Sequence, residues 1–594
     1  LPNGGCPGLE TVDRRGDLVR VRKDLLRDRG VSVVIYAQTC AAEAGRRSKR
    51  GTFPGPNKRV IMNELVCEGC GDCGVKSNCV AVQPVETEFG RKRMIDQSVC
   101  NKDFSCVKGF CPSFVTVEGG SLRRGAAVQA ADRSSTPFEV LPEPVQPDLD
   151  QPYAMLITGI GGTGVVTVGA ILGMAAHLEG KGAGIIDMAG LSQKNGAVVT
   201  HMKIAMRPDD IQAIRVSAGG ADLLLGCDLV TTGSPHILTA ASRERTRAIV
   251  NSHEIMPANF TRDADYQLPS EQLKVAIGAR SKPNGVDFVD ATKIATALMG
   301  DSIASNLFTL GYAYQKGLIP VSAQAIDRAI ELNGVAIEMN RKAFLWGRRA
   351  AHDLALVEQL IAPPKQASKQ ITDLSQSLDE MIERRAAFLT GYQDKAYANR
   401  YRNAVQKVRL AESKIVPGRE ELSIAVARYL FKLMAYKDEY EVARLYSDGA
   451  FKRNVASQFT GDYKLKVHLA PPVLSPLDPA SGEPRKREFG PWMFKAFSLL
   501  APFKRLRGTR LDLFGYTQER RMERQLRDEY EAQLDDIIAA LTPQKHALLV
   551  ELASLPEQIR GYGHIKAASL VAVQAAREKL LARLRAPAPE RNVA

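Results

Sequence analysis

Seven of the ten cysteines lie between Cys67 and Pro112. They run C-E-G-C-G-D-C through Cys67, Cys70 and Cys73, then Cys79, Cys100, Cys106 and Cys111-Pro112. Three thiols two residues apart let a tight loop wrap one face of a metal–sulfur cube, and the fourth ligand comes from elsewhere in the chain. C-x2-C-x2-C with a later Cys-Pro is a spacing that grips iron–sulfur cubanes with thiolates.

This is the spacing of a bacterial-type ferredoxin, in which the last cysteine of each run serves the other cluster. Cluster one would then take Cys67, Cys70, Cys73 and Cys111. The second run reads C-x2-D-x2-C-x4-C-P, so Asp103 stands where a further cysteine would be. A second cluster is expected on Cys79, Cys100 and Cys106. Asp103 is its weak fourth ligand, or the site holds three irons. Two other readings stay open. Zinc suits four cysteines in two pairs, though the triple run is unusual for it. Disulfides need an oxidising compartment, and no secretory signal pattern occurs.

A chain of 594 residues, 45% hydrophobic and 25% charged, is globular and long enough for about four domains. It starts at Leu1 rather than Met, as a processed chain or a piece of a longer one would. The net charge of +14 permits an acidic protein partner or a nucleic acid without choosing between them. The longest uncharged run, from Gln151 to Leu178, has membrane-spanning length, but its glycines divide it into strand, loop and helix. A soluble, cytoplasmic chain is expected.

Residues 1–58 read as one helix (Asp13–Arg29, ended by Gly30) and one buried strand (Val31–Tyr36), followed by a loop thiol at Cys40. Arg46, Arg47, Lys49, Arg50, Lys58 and Arg59 form a basic run, read as a solvated loop or a surface for an acidic partner. Residues 59–120 are the ferredoxin-like segment, with strands at Arg59–Asn63 and Phe114–Val117. The prolines of 121–150 mark a linker.

Ala154–Thr158 is a buried strand entering Gly159-Ile-Gly161-Gly162-Thr-Gly164, and a helix follows from Val165 to Leu178. This is a dinucleotide-type glycine loop in its proper setting. A strand Gly184–Asp187 ends in an acid where a ribose-binding carboxylate would sit. The bland alternative is that the glycines only permit a tight turn. The polar loop Met188–Gly196 follows a strand, where sites in open sheets gather. His201, His236 and His253 read as structural.

Four passages resemble the indolepyruvate:ferredoxin oxidoreductases of the long, fused form, within the 2-oxoacid:acceptor oxidoreductase superfamily. They are Val66–Cys73, Cys100–Cys106 with Cys111-Pro112, Ile157–Gly164 with Gln193-Lys-Asn-Gly196, and Gly311–Gly317 with Glu331–Gly334. The resemblance implies an α/β and α+β multidomain chain: a ferredoxin-like iron–sulfur domain, a Rossmann-like gamma-type domain over 151–360, and a helical C-terminal extension over 369–594. It implies oxidative decarboxylation of an aryl pyruvate on thiamine diphosphate with magnesium. The acyl group passes to coenzyme A, and electrons pass through iron–sulfur clusters (4Fe-4S, the second 4Fe-4S or 3Fe-4S) to a ferredoxin. Gly159, Gly161, Gly162, Gly164, Gln193, Lys194 and Asn195 become cofactor-site candidates, with no nicotinamide required. The thiamine motif Gly-Asp-Gly does not occur in this sequence. The resemblance therefore puts the thiamine site on an upstream half or a separate subunit, within a homo-oligomer that engages neither membrane nor nucleic acid.

Beyond 369 the chain is helix-rich, and Met522, Leu526, Tyr530, Leu534 and Ile537 recur at helical spacing. Arg485–Arg510 mixes eight basic residues with Phe489, Trp492, Phe494, Phe497 and Phe503. That mixture suits nucleic acid, or aromatics that dock a loop while the charges face water. The rivals to the oxidoreductase reading are a ferredoxin-fused NAD(P)-dependent reductase, with Asp187 on the ribose, and an iron–sulfur nucleic-acid-binding protein.

Overall fold

The computed structural model describes residues 18–27, 29–35, 39–49, 52–123, 141–189, 196–362, 372–471, 475 and 484–585. They form two units, Leu1–Gly55 with Asn101–Asp103, and all the rest.

The first unit contains helices Leu18–Leu25 and Ala41–Lys49. Arg20 with Asp24 and Arg47 with Glu43 form exposed pairs one helical turn apart. The strand expected at Val31–Tyr36 is not formed in its described part, where Val31 is 96% exposed. An apolar run becomes a strand only when a neighbour supplies a hydrogen-bonding edge, and periodicity cannot report that edge. The basic run expected as a loop begins on the helix Ala41–Lys49.

The second unit carries every described strand. In chain order these are β1 (Lys58–Met62), β2 (Val82–Val85), β3 (Lys92–Ile95), β4 (Phe114–Leu122), β5 (Tyr153–Ile160), β6 (Gly182–Ala189), β7 (Ala197–Ala205), β8 (Leu223–Gly226), β9 (Arg247–Asn251), β10 (Val286–Val289), β11 (Phe459–Leu469) and β12 (Arg487–Phe489).

The α/β domain is a six-stranded sheet in the order β10-β9-β8-β5-β7-β6. β10, β9, β8 and β5 are parallel, whereas β7 runs antiparallel to both β5 and β6. The Rossmann-like expectation is therefore corrected in one half of the sheet. The strand bearing Asp187 does not adjoin β5, because β7 lies between them. Helix Val165–Leu178 packs on one face through Val168, Ile171, Leu172 and Ala175, all buried. Helices Ser305–Gln315 and Ile337–His352 cross at two glycines, where a Cβ on Gly311 would overlap the Phe344 carbonyl and one on Gly347 the Phe308 carbonyl. That close approach accounts for Gly311 in its motif. The expected linker is shorter than 121–150. Ser121 and Leu122 still pair with β11, and Glu143 anchors residues 141–150 through Tyr314 (2.7 Å) and Arg348 (2.8 Å).

The C-terminal segment, expected as a helical extension, is mostly helical and also supplies two strands. β11 pairs antiparallel with β4 over Phe459–Val467, and β12 pairs with β11, so one sheet runs β1-β4-β11-β12. Its core joins Ile61, Val115 and Val117 to Tyr446, Phe451, Phe494 and Phe497. A second, helical core is built from 378–434 and 530–580. The aromatics of 485–510 divide: Phe494 and Phe497 are buried, whereas Trp492 is 58% and Phe503 49% exposed. The charges there do not all face water either. Arg507 is buried against Asp438 at 2.6 Å and Lys486 turns inward. No described helix is long and apolar enough to cross a membrane.

Candidate functional site

The cysteine pocket begins where β1 ends. The Asn63 carbonyl accepts from the backbone N–H groups of Val66 (3.1 Å) and Cys67 (3.0 Å), a turn that swings the chain back on itself. The Asn63 side chain donates to the Leu445 carbonyl at 3.0 Å, fixing that turn to the C-terminal region. In the loop that follows, Gly69 and Gly71 hold φ of +69° and +81°. A side chain there is strained by its own backbone. A Cβ on Gly69 would also overlap the Arg91 carbonyl. The glycines of C-E-G-C-G-D-C are thus what let three cysteines share one side of the loop. Asp72 then accepts the Phe110 N–H at 2.6 Å, tying the loop to the segment that carries Cys106 and Cys111. Gly109 approaches so closely that a Cβ on it would lie 2.8 Å from the Cys73 Cα.

Cys67, Cys73 and Cys106 are buried in one cluster, with Cys79, Cys100 and Cys111 packed against it. Cys67, Cys70, Cys73 and Cys111 are mutually coupled. Burial first, then the neighbouring Cys111, pushes the Cys70 thiol up to about 12. The same two causes raise Cys67, and they hold Cys73 well above the usual thiol range. Four thiolates crowded this way need a strongly positive centre to stay ionised. Donors are already aimed at the sulfurs: the Gly69 N–H lies 3.3 Å from Cys67 Sγ. Lys486 sits beside Cys111, Cys73 and Cys106 and donates to the carbonyls of Gly109 (2.5 Å) and Cys111 (3.0 Å). Such N–H to sulfur bonds and nearby charges stabilise a cluster's anionic sulfur shell. No cysteine between 67 and 111 is in a disulfide.

The spacing of the sulfurs discriminates between metals. A tetrahedral zinc with bonds of about 2.3 Å brings its sulfurs within about 4 Å of one another. Among the described residues, no three cysteine sulfurs lie within 4.8 Å of one another. The group that does is Glu412, Glu421 and His546, where Glu412 also accepts the Leu422 and Ser423 N–H groups that open a helix. A cube gives each thiolate its own iron and spreads the sulfurs. Three thiols on one loop and a fourth from Cys111 make a donor set of the kind a cubane takes. Asp103 belongs to the first unit with Asn101 and Lys102, and Cys67 to Cys100, Cys106 and Cys111 belong to the second.

The glycine loop is stitched into its own domain. The Gly161 N–H donates to the Gly196 carbonyl at 2.7 Å, which brings the loop against the end of the Gln193–Gly196 passage. Gln193, Lys194 and Asn195 themselves lie outside the described residues. Gly162 and Gly164 hold φ of +85° and +99°, and a Cβ on Gly159 would meet Val165 at 2.6 Å. Asn306, buried on the helix Ser305–Gln315, donates to the Thr163 carbonyl at 3.1 Å. Pattern reading missed it, since an asparagine inside an apolar helix carries no sequence signal of its partner. Asp187 is placed where a ribose acid cannot be. It lies level with Ile157 across β7 and accepts from the Thr200 hydroxyl at 2.5 Å. The nicotinamide reading loses its acid.

Two of the three histidines have internal partners. His201 Nδ1 meets the Val216 N–H at 3.1 Å, and burial lowers its pKa. His253 pairs with Asp290 at 3.1 Å.

The C-terminal region roofs the cysteine pocket. The Tyr562 hydroxyl donates to the Val66 carbonyl at 2.6 Å and that of Tyr446 to the Pro112 carbonyl at 2.6 Å. The Phe110 and His564 rings meet at a tilt with centroids 4.7 Å apart, and a Cβ on Gly561 would lie 3.5 Å from the Cys70 Cβ. Sequence reading singled out these cysteines but not this roof.

Comparison with known proteins divides the chain along the same lines. Residues 154–350 match the family described as pyruvate ferredoxin/flavodoxin oxidoreductase, and residues 378–579 match a family of unknown function. The indolepyruvate oxidoreductase subunit IorB of Pyrococcus horikoshii is 27% identical over 206 residues, 34% of this chain and 97% of that protein. Its counterpart in Thermococcus kodakarensis is 26% identical over 209 residues, again 34% and 97%. A pyruvate oxidoreductase subunit from Thermotoga maritima, of known structure, covers 34% of this chain and 97% of its own at 21% identity, with a TM-score of 0.25.

Proposed function

We propose, for a chain whose residues 154–350 are a domain of the pyruvate ferredoxin/flavodoxin oxidoreductase family, that it forms the electron-transfer and gamma-type portion of an indolepyruvate (aryl pyruvate):ferredoxin oxidoreductase. The observation that carries this reading is the Cys67, Cys70, Cys73 and Cys111 quartet, two of its thiols buried and two half-buried, in the same unit as that domain. Cys79, Cys100 and Cys106 would hold a second cluster, with Asp103 or nothing as its fourth ligand. When bound, the clusters supply one-electron storage between substrate and a ferredoxin.

The chain's own residues do the rest. Gly69 and Gly71 shape the loop, Asp72 holds Cys111's segment to it, and Lys486 offsets negative charge on the sulfurs. The glycine loop, tied to Gly196 and Asn306, serves as a rigid support rather than a nicotinamide site. Thiamine diphosphate with magnesium, and the decarboxylation itself, belong to a partner half or subunit, because Gly-Asp-Gly does not occur in this sequence. Coenzyme A accepts the acyl group in that assembled enzyme.

Anaerobic iron and sulfide quantitation with low-temperature EPR tests the reading. Seven or eight irons on the roughly eight sites of two cubanes are expected, and Cys70→Ser should lose the first cluster's signal. Zinc without iron, or an unchanged spectrum in that variant, would overturn it.

A further inference from the structure

A cavity of about 600 Å³ lies between the cysteine region and the helices that cover it. Glu68, the residue after Cys67, is in its wall. Charges dominate the lining, and most of them are matched. Lys437 pairs with Glu68 and Arg385 with Glu88. Arg91 pairs with Glu86 at 2.9 Å and Arg560 with Asp265 at 2.6 Å. The remaining carboxylate, Glu557, accepts the Tyr429 hydroxyl at 2.8 Å.

Three cations are left over on this wall. Arg428 is exposed to the opening. Lys432 reaches only a backbone carbonyl, that of Glu557, at 2.8 Å. Lys92 is 8% exposed, yet among the described residues its ammonium has no hydrogen-bond acceptor and no carboxylate within 4.0 Å. Glu68, and after it the Cys67 sulfur, offsets part of the Lys92 charge, and Glu68 offsets part of that on Lys432, but the Glu68 carboxylate is already paired with Lys437. One carboxylate shared among Lys437, Lys92 and Lys432 leaves an excess of positive charge on this wall. The void beside it is far larger than one inorganic ion. It also presents the Phe89 and Tyr429 rings, which suit the body of an organic ligand.

We propose that this cavity binds an organic phosphate, with Lys92, Lys432 and Arg428 on the phosphate oxygens. Cations with unspent donors on one cavity lining are what a phosphate dianion requires. The site is built half from the cysteine region and half from residues 428–560. It therefore gives the segment of unknown function a ligand of its own, independent of the oxidoreductase chemistry.

Isothermal titration of the whole chain at constant ionic strength, with pyrophosphate and with ADP as probes, decides it. Saturable one-to-one binding is expected, weakened about tenfold or more in both Lys92→Met and Lys432→Met, as loss of one charge-assisted contact implies. The surface variant Lys407→Met should bind as the wild type does. ADP binding tighter than pyrophosphate would show that the organic body is held, and equal affinities that the phosphates alone are recognised. No saturable binding of either probe, or equal affinity in wild type and Lys92→Met, would overturn the proposal. If Lys432→Met fails to fold, the wild type and Lys92→Met still decide between these outcomes.

Discussion

The glycine loop is closed from within its own domain, by Gly196 on the neighbouring strand end and by Asn306 on a helix of the same α/β layer. The cysteine pocket is closed from far along the chain. Leu445 receives Asn63, Tyr446 reaches Pro112, Lys486 reaches Cys111, and Tyr562 reaches Val66. One motif is a self-contained turn with local packing. The other is a set of ligands whose walls arrive hundreds of residues later. The difference implies that damage to the glycine loop stays in its domain, whereas the cysteine pocket fails when either of two distant segments does.

The largest effect is expected from Gly69→Ala. Left-handed backbone costs a Cβ-bearing residue about 1–2 kcal/mol, and here the added atom also overlaps the Arg91 carbonyl. The loop must open, so Cys67 and Cys70 no longer share a face. Loss of most of the iron bound by the first cluster is expected, with cooperative unfolding of the α/β domain retained. Iron content and calorimetry on one sample separate the two. Full iron loading would show that the loop tolerates the change and that its glycines are not required.

The next effect is a pH dependence confined to the shared sheet. His468, on β11, bonds the Thr116 hydroxyl of β4 at 2.7 Å. Burial, then the nearby Lys486, lowers its pKa from 6.5 to about 4. Above pH 6.5 the imidazole is neutral whether folded or unfolded, and its contribution is complete. Below that, the unfolded chain takes up a proton that the folded chain refuses until about pH 4. Stability should fall across that window by about 3 kcal/mol. Urea unfolding at pH 7 and pH 4.5 measures the slope, and His468→Gln should flatten it. A slope unchanged in the variant would place the acid sensitivity elsewhere.

The same contrast explains what was legible in the sequence. Helix Val165–Leu178 and strands β1, β4 and β5 were legible because glycine punctuation and apolar runs are local signals. The grouping of the cysteines was legible because their spacing is a local signal. The place of β7 between β5 and β6 was not, since alternation along a strand says which face is buried but not which strand is its neighbour. That one insertion removes Asp187 from the glycine loop. The roof over the cysteines was hidden for the same reason. Lys486 and Tyr562 look like a solvated lysine and a helix-flanking tyrosine until the chain has folded back on itself.

The smallest effects compare the two closures directly. Tyr562→Phe takes the hydroxyl from the buried Val66 carbonyl, and Asn306→Leu takes the carboxamide from the Thr163 carbonyl. Each leaves one acceptor unmatched, at about 1–3 kcal/mol. Tyr562 sits in the apolar core shared by β1, β4 and the C-terminal helices, so its loss should lower stability and loosen the cluster's EPR line shape together. The Asn306 carboxamide bonds the glycine loop and the Ser305 hydroxyl of its own helix, so its loss should lower the stability of that layer and leave the EPR spectrum unchanged. Equal spectral changes in the two variants would mean that the two sites are mechanically coupled. The α/β domain would then act on the clusters through the fold rather than merely standing beside them.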